Sequence, residues 1–301
     1  MISCLGLSPA LDVTYRVPIL RAGEIHRPES RLALPGGKSL NVARAVHRLG
    51  GVVRAIAPLG GFTGAEIRRM LAESGVAVQA VTTSEPTRTC VSVVADVDGS
   101  ITEFYERVPE LDDDAWRNVV EAVDGVDSGW LVVSGSVPAA RAAELGVVLA
   151  AAEDRGARLA LDLRGEALDA ALSSTRPVLV KINRAEAEEA VGAADVPELA
   201  RRLRARGAAT AVVTDGAAGS VGTDADGGWR VATSPAGRYT VGAGDCFLAG
   251  LVMALDRGAG LAEALSRASA IAAANTLHPG AALFEPADAD RLAAGVEVRP
   301  W

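Results

Sequence analysis

The sequence is poor in several features that would define a class of protein. Its three cysteines, Cys4, Cys90 and Cys246, are odd in number, far apart and free of C-x-x-C spacing. Neither a disulfide framework nor a zinc site is encoded, and a reducing, cytoplasmic location fits best. Aromatic residues make up 4% of the chain, against 49% hydrophobic and 23% charged residues. That balance is typical of a globular enzyme with a packed core.

Two further absences concern partners. No apolar run approaches the ~18 residues that span a bilayer, and no cationic region precedes an apolar stretch at the N-terminus, so we expect neither membrane insertion nor secretion. The formal net charge of −8 argues against nucleic acid binding, which needs a clustered cationic surface. No repeat or low-complexity linker divides the chain. We expect one domain over residues 1–301.

Short β-branched runs alternate with Ala-rich amphipathic stretches along much of this chain. The predicted strands are Ile2–Leu7, Val52–Pro58, Trp130–Ser134, Arg158–Leu163, Val178–Ile182 and Ala211–Thr214. Helices are predicted near Asn41–Leu49 and Thr63–Ser74 and after the later strands. Such alternation implies right-handed crossovers and an α/β fold with a mostly parallel central sheet covered on both faces.

Two segments, at about 12–35 and 86–107, break this alternation. The first contains extended, half-polar stretches, and the second is an alternating strand pair around the turn Asp98-Gly99. We expect them to form a small β-sheet lid beside the polar motifs. Ordinary edge hairpins are the alternative.

A glycine-rich segment at 240–250 runs into a predicted helix. Small residues allow close approach of the backbone, and the free N–H groups at a helix start bind anions, so the amides of Gly242, Ala243 and Gly244 predict a phosphate site. Asp245 follows in the first turn, where it can accept a proton from an attacking hydroxyl. The alternative is that Asp245 merely caps the helix.

A second glycine-rich segment, Gly36-Gly37-Lys38, also opens a helix. A P-loop would need glycine at the position of Leu32 and would follow the first strand, so this motif is excluded. Lys38 and Asn41 lie one helical turn apart and suit the hydroxyls and phosphate of a small substrate. A simple helix start is the alternative.

Two weaker signals lie between these motifs. Asn183 and Glu186 stand three residues apart at a helix start, where they can hold a hydrated magnesium ion or form a capping box with each other. Thr214, Gly216 and Gly219 follow a strand into a glycine turn where a nucleotide phosphate or ribose could rest.

Together these elements resemble the ribokinase-like PfkB family of carbohydrate kinases, and within it the branch of 1-phosphofructokinase and tagatose-6-phosphate kinase. The matching segments are Ser8-Pro9-Ala10-Leu11-Asp12, Gly36-Gly37-Lys38, Ser134-Gly135-Ser136-Val137-Pro138, Asp162-Leu163-Arg164-Gly165-Glu166-Ala167-Leu168, Asn183–Glu186 and Gly242–Asp245. The resemblance covers nearly the whole chain, and several motifs in the family's order are far more specific than one. It implies a three-layer α/β/α fold with a lid.

The resemblance also implies roles for individual residues. Asp245 would be the catalytic base, and the amides of Gly242, Ala243 and Gly244 would form the anion hole for the γ-phosphoryl group of ATP. The implied substrate-binding residues are Asp12, Gly36, Gly37, Lys38, Asn41, Arg88 and Ser136, with Lys38 and Arg88 on the phosphate that the sugar already carries. The implied nucleotide-binding residues are Lys181, Asn183, Glu186, Thr214, Gly216, Gly219 and Asn275. Asn183 and Glu186 would organise Mg²⁺ through water, and a homodimer through the lid is a further expectation.

The chain departs from the branch in the hairpin segments Thr87-Arg88-Thr89-Cys90 and Glu106-Arg107-Val108-Pro109 and at four further positions. Ser8, Ser39, Ile182 and Cys246 stand where the branch usually has Asn, Gly, Pro and Ser. Some of these lie on the substrate side, so the sugar stays open. A kinase of an unphosphorylated sugar or nucleoside is the first alternative to a sugar phosphate kinase, and a catalytically silent sugar- or nucleotide-binding protein is the second.

Overall fold

The computed structural model describes residues 1–232 and 237–301, and the elements below are those of these residues. The strands are β1 (Ile2–Leu5), β2 (Ala10–Val17), β3 (Ser30–Gly36), β4 (Val53–Leu59), β5 (Ala77–Thr82), β6 (Arg88–Ala95), β7 (Ile101–Tyr105), β8 (Gly129–Ser134), β9 (Ala157–Asp162), β10 (Leu179–Asn183), β11 (Thr210–Thr214), β12 (Ser220–Thr223), β13 (Gly228–Val231) and β14 (Val298–Pro300). The helices are α1 (Lys38–Arg48), α2 (Gly61–Glu73), α3 (Asp113–Asp124), α4 (Ala142–Asp154), α5 (Gly165–Ser174), α6 (Arg184–Val191), α7 (Val196–Ala205), α8 (Ala243–Asp256), α9 (Leu261–Asn275) and α10 (Pro286–Ala293).

The main sheet of the described residues has the strand order β14-β13-β12-β11-β10-β9-β8-β1-β4-β5. Neighbours from β11 to β5 in this order run parallel, and β12, β13 and β14 add an antiparallel edge. The predicted mostly parallel sheet is confirmed, with strand ends within two residues of their predicted positions. The first strand ends at Leu5 and not at Leu7, because the chain bends at Leu7 and Ser8.

Helices cover both faces of this sheet. Residues of α1, α2, α8, α9 and α10 pack on one face, and residues of α3, α4, α5, α6 and α7 pack on the other. Strand β8 shows the division: Trp130 and Val132 face the first layer, whereas Leu131 and Val133 face the second. Burial on both faces explains why such strands are continuous apolar runs, and the three-layer α/β/α arrangement is confirmed.

The helices are short. The longest one in residues 1–232 and 237–301, α9, has 15 residues. None of the helices in these residues is long and apolar enough to cross a membrane.

A second, four-stranded sheet of order β3-β2-β6-β7 forms the predicted lid. Strand β2 pairs with β3 antiparallel and with β6 parallel, which sets Asp12 opposite Cys90. Strands β6 and β7 form the predicted hairpin, and Gly99 in its turn has a φ of 69°, a conformation that favours glycine. The lid therefore brings Asp12 and the hairpin to the same side of the main sheet.

Candidate active site

A cleft of about 770 Å³ lies at the carboxyl ends of the parallel strands, with lid residues forming part of its wall. Ligands of open α/β sheets bind at this edge. The strands contribute Ser136 after β8, Asp162 from β9, Asn183 from β10 and Thr214 from β11. The predicted site residues that line the cleft are Asp12, Gly37, Lys38, Asn41, Arg88, Ser136, Lys181, Asn183, Glu186, Thr214, Gly242, Gly244 and Asp245. The structure therefore brings most of the predicted set together.

The glycine turn before α8 depends on close backbone packing. Gly242 is the N-cap residue, with a left-handed φ of 76°, and a Cβ on it would lie 2.3 Å from the Cβ of Ala281. Ala243 differs from the prediction, because its N–H donates to the Thr240 carbonyl at 3.1 Å and the residue does not line the cleft. Among the described residues, the amides of Gly242 and Gly244 have no hydrogen-bond acceptor. These two amides are available for an anion.

Asp245 lies in the first turn of α8 and is only 7% exposed. Its Oδ2 accepts a hydrogen bond from Asn41 Nδ2 at 2.9 Å, which fixes the carboxylate at the cleft. Burial chiefly, and then the negative charge of Asp162, raise the pKa of Asp245 to about 7, while the Asn41 hydrogen bond partly offsets them. A carboxylate with a pKa near neutrality suits a general base. At neutral pH a fraction of the molecules carries it ionised, and the ionised group binds a proton more tightly than an ordinary carboxylate does.

Asp162 is a residue of the site to which the sequence assigned no role. It ends β9, is 1% exposed, and accepts hydrogen bonds from Lys38 Nζ at 2.7 Å and Lys181 Nζ at 2.8 Å. Burial alone would raise the pKa of this carboxyl, but the two lysines outweigh burial and hold the pKa below its ordinary value. An aspartate at the end of an apolar strand is the signal that could have identified it.

Lys38, which is predicted to bind the sugar phosphate, lines the cleft and donates to two carboxylates there. Its ammonium group donates to Asp162 and also to Glu186 Oε1 at 3.3 Å. Burial alone would lower the pKa of Lys38, but these two carboxylates raise it above its ordinary value. The charge of Lys38 is therefore compensated by one carboxylate from strand β9 and one from helix α6.

Asn183 and Glu186 form the capping box that was one of the two open alternatives. Asn183 Oδ1 accepts from the Glu186 amide at 2.9 Å, and Glu186 Oε2 accepts from the Asn183 amide at 3.0 Å. Both side chains present oxygen atoms at the cleft, as Mg²⁺ requires, but no group of three or more potential metal ligands occurs in the described residues. The three side-chain oxygens of this pair already accept hydrogen bonds, one of them from Lys38, so the pair fits only a magnesium ion that keeps most of its waters.

The sugar side of the cleft depends on two glycines. A Cβ on Gly36 would lie 2.0 Å from Asp12 Cγ, so this position must be small, although Gly36 itself does not line the cleft. Gly37 has a φ of 90°, and a Cβ on it would lie 2.9 Å from the Ser8 carbonyl oxygen. Burial raises the pKa of Asp12 to about 6, and the charges of Arg44 and Arg88 partly offset that increase.

Two arginines supply positive charge on this side. Arg88 donates from Nη1 to the Glu106 carbonyl and from Nη2 to the Ser8 carbonyl, each at 3.2 Å, and its buried Nε has no partner. Arg107, which follows the hairpin, lines the same cleft. Neither arginine forms an ion pair within the described residues. The sequence did not identify Arg107 as a site residue, because an arginine in a charged loop has no distinguishing pattern.

The residues predicted to bind the nucleotide do not all line the same cavity. Thr214 lines the main cleft, whereas Gly219 lines an adjoining cavity of about 240 Å³ with Arg184 and Asp215. Gly219 has a φ of 96°, and a Cβ on it would lie 2.0 Å from the Val231 carbonyl oxygen. Gly216 begins the same turn with a φ of 51°. The backbone conformation of the turn after β11 therefore requires glycine at these positions.

Asn275 is the predicted nucleotide residue that the structure places elsewhere. It is fully buried, and its side chain bonds to Val241, Cys246 and Ala282. It does not line the cleft. A side chain with no exposed surface and three protein partners has no group left for a nucleotide.

The chain is 33% identical to ATP-dependent 6-phosphofructokinase isozyme 2 of Escherichia coli K12, over 96% of each chain, and 33% identical to 1-phosphofructokinase of Rhodobacter capsulatus, over 99% of this chain and 97% of that one. Solved structures of E. coli phosphofructokinase-2 in complex with substrates and products, and in its tetrameric inhibited form, are 32% identical, with TM-scores of 0.93 and 0.91 and coverage of 98% of each chain. Residues 1–288 match the family described as pfkB family carbohydrate kinase. This chain belongs to that family and is a carbohydrate kinase with the ribokinase-like fold.

Proposed function

We propose that the protein transfers the γ-phosphoryl group of ATP to a hydroxyl of a ketohexose phosphate, as its phosphofructokinase relatives are named for doing. The observation that carries this proposal is that, within the described residues, one cleft holds both a candidate base beside free amides and unpaired cationic side chains. A buried carboxylate, Asp245, stands beside the amides of Gly242 and Gly244 at one part of the wall, and two arginines without ion pairs, Arg88 and Arg107, stand at another.

Phosphoryl transfer requires alignment and charge neutralisation more than covalent help from the protein. The hydroxyl oxygen of the sugar forms a bond to the γ-phosphorus, the bond from that phosphorus to the β,γ-bridging oxygen breaks, and ADP leaves. Asp245 receives the hydroxyl proton at a carboxylate oxygen that Asn41 holds in place. The amides of Gly242 and Gly244 donate to the oxygens on which charge develops.

The lysines and the capping box support the donor phosphates. Lys38 and Lys181 share Asp162, so both ammonium groups are held at the centre of the cleft before ATP enters. Asn183 and Glu186 would hold Mg²⁺ through water. When bound, the ion supplies charge neutralisation for the phosphate oxygens.

The sugar side favours an anionic substrate. Arg88 bonds only to backbone carbonyls and Arg107 has no ion pair in the described part of the chain, so their charges are not balanced by a bonded carboxylate. A phosphate group can accept two hydrogen bonds from a guanidinium, which makes arginine suitable for this recognition. Asp12 and Asn41 are the candidates for binding sugar hydroxyls.

A coupled ADP-release assay tests this proposal. The acceptors are fructose 6-phosphate, fructose 1-phosphate, tagatose 6-phosphate, fructose and ribose, and the variants are Arg88→Gln, Arg107→Gln and Lys38→Ala. We expect turnover on one phosphorylated ketohexose, with KM for that sugar raised at least about tenfold by each arginine variant. Lys38→Ala should raise KM for ATP more than KM for the sugar.

The second candidate is a kinase of an unphosphorylated sugar, which was the first alternative from the sequence. It loses support from Arg88, whose guanidinium bonds only to backbone carbonyls and would gain no anionic partner from a neutral sugar. Faster turnover on free fructose or ribose than on every sugar phosphate would favour it and would contradict the proposal. Turnover on no acceptor, with ATP still bound, would favour a silent binding protein.

We propose further that the lid pairs two copies of the chain. Strand β7 is exposed along its whole length and carries Phe104, which is 60% exposed, at the free edge of the lid sheet. A sheet edge with exposed apolar side chains favours association. Sedimentation velocity should give a dimer, and a monomer at assay concentrations would exclude it.

A further inference from the structure

Asn275, the last residue of α9, connects three parts of the chain behind the Gly242 turn. Its Nδ2 donates to the Val241 carbonyl at 2.8 Å, and its Oδ1 accepts from the Ala282 amide at 2.8 Å. The thiol of Cys246 donates to the same Oδ1 at 3.4 Å. The side chain is 0% exposed. Both functional groups of the amide are therefore used, and every partner lies next to the active-site turn or its support.

The first of these hydrogen bonds controls a carbonyl at the cleft. Val241 lines the cleft and directly precedes Gly242, whose φ of 76° turns the chain into α8. A carbonyl oxygen carries partial negative charge, so it would repel a phosphoryl group if it turned towards the cleft. The Asn275 amide holds this oxygen on the buried side, which leaves the following amides to meet the phosphoryl group.

The second hydrogen bond holds a strained position. Ala282 has a φ of 55° and is the one non-glycine residue with positive φ among those that the structure describes. That conformation costs about 1 kcal/mol or more, so it persists only where neighbours hold it. The preceding residue, Ala281, packs against Gly242 so closely that a Cβ there would lie 2.3 Å away. Asn275 therefore supports the turn from two sides.

We infer that Asn275 is a positioning residue for phosphoryl transfer, whose buried amide holds the Gly242 turn in the conformation that binds the transferring phosphoryl group. This inference rests on the proposed function of that turn. It replaces the nucleotide contact that the sequence suggested for Asn275, because the side chain acts from behind the turn and touches no substrate.

The test compares Asn275→Leu with Ser269→Ala. Leucine has the same number of side-chain heavy atoms and the same branching as asparagine but lacks the donor and acceptor, and Ser269 is a buried polar residue on the same helix with no assigned role. The readouts are kcat, KM for both substrates, and affinity for MgADP with and without aluminium fluoride, which mimics the transferring phosphoryl group. We expect Asn275→Leu to lower kcat about tenfold or more and to weaken the fluoride complex by a similar factor. KM for the sugar and affinity for MgADP alone should stay within about twofold, and Ser269→Ala should resemble the wild type.

Wild-type kcat per folded molecule in Asn275→Leu would overturn the inference, whatever the loss of thermal stability. If that variant does not fold, Asn275→Asp at pH 8.5 keeps the acceptors for Ala282 and Cys246 and removes the donor to Val241, so the same selective loss is expected and wild-type kcat would again overturn it. Gly244→Ala and Asp245→Asn are assayed in parallel. Full turnover in those two variants would reject the proposed function itself. If those two variants lose turnover while the Asn275 variant keeps the wild-type kcat, only this inference is rejected.

Discussion

Replacing Asp245 by asparagine should abolish most turnover and at the same time stabilise the folded protein. Asparagine keeps the shape of the side chain and can still accept the hydrogen bond from Asn41, but it cannot take up a proton. General base catalysis contributes about 10²- to 10⁴-fold, so kcat should fall by at least about 10²-fold. ATP binding should persist, because the amides and lysines of the phosphate site are unchanged.

The gain in stability follows from the pKa of Asp245. Burial and the charge of Asp162 raise this pKa from 3.8 to about 7, so the folded protein binds a proton more tightly than the unfolded chain does. The wild type therefore loses stability as the pH rises from about 4 to about 7, and the asparagine variant does not. At about 1.36 kcal/mol per pH unit, the difference in unfolding free energy reaches at most about 4 kcal/mol above pH 7.

Urea unfolding at pH 4.5 and pH 8, with the coupled kinase assay beside it, measures both effects. We expect the variant to be more stable than the wild type by about 1 kcal/mol at pH 4.5 and by about 4 kcal/mol at pH 8. Asp162→Asn is the matched control, because its carboxylate is paired with Lys38 and Lys181 and its removal should destabilise the protein at pH 8. Equal turnover in Asp245→Asn, or equal stability at pH 8, would refute the reasoning.

Four further predictions concern the same cleft and the lid. Gly244→Ala, whose Cβ would lie 3.1 Å from Lys181 Nζ, should lower kcat about tenfold in steady-state assays while thermal melting changes little. Asp162→Asn removes a charge that raises the pKa of Asp245, so the rising limb of kcat/KM against pH should move to lower pH. Removal of divalent metal with EDTA should abolish turnover, and added Mg²⁺ should restore it in the same assay. Phe104→Glu should convert a dimer to a monomer in sedimentation velocity, because it places a charge on the exposed lid edge.

The fold was predictable from the sequence because its signals are local. Strands β8 to β11 are buried on both faces, so each appears as a short apolar run, and glycines follow the ends of β8, β9 and β11. The Asp98-Gly99 hairpin also follows from local turn chemistry. Asp245 and the glycines before it were predictable for the same reason, since a helix start and its first turn are adjacent in sequence.

The partners of charged and amide side chains were not predictable, because they are set by contacts between distant parts of the chain. Lys38 donates to Asp162, 124 residues away, a contact that no local pattern shows. Asn275 lies at the end of a helix, where sequence cannot distinguish an amide that faces a ligand from one that bonds to Val241, 34 residues earlier. The Ala243 amide was lost from the predicted anion hole through a bond to Thr240, a detail of turn geometry.

The most direct measurement is a structure of the protein with MgADP, aluminium fluoride and its sugar phosphate. The attacking hydroxyl should lie within about 3.2 Å of an Asp245 carboxylate oxygen, with the fluoride group against the Gly244 amide. A hydroxyl that points at another group, with Asp245 turned away from the phosphoryl mimic, would contradict the assignment of the base on which the proposed reaction depends.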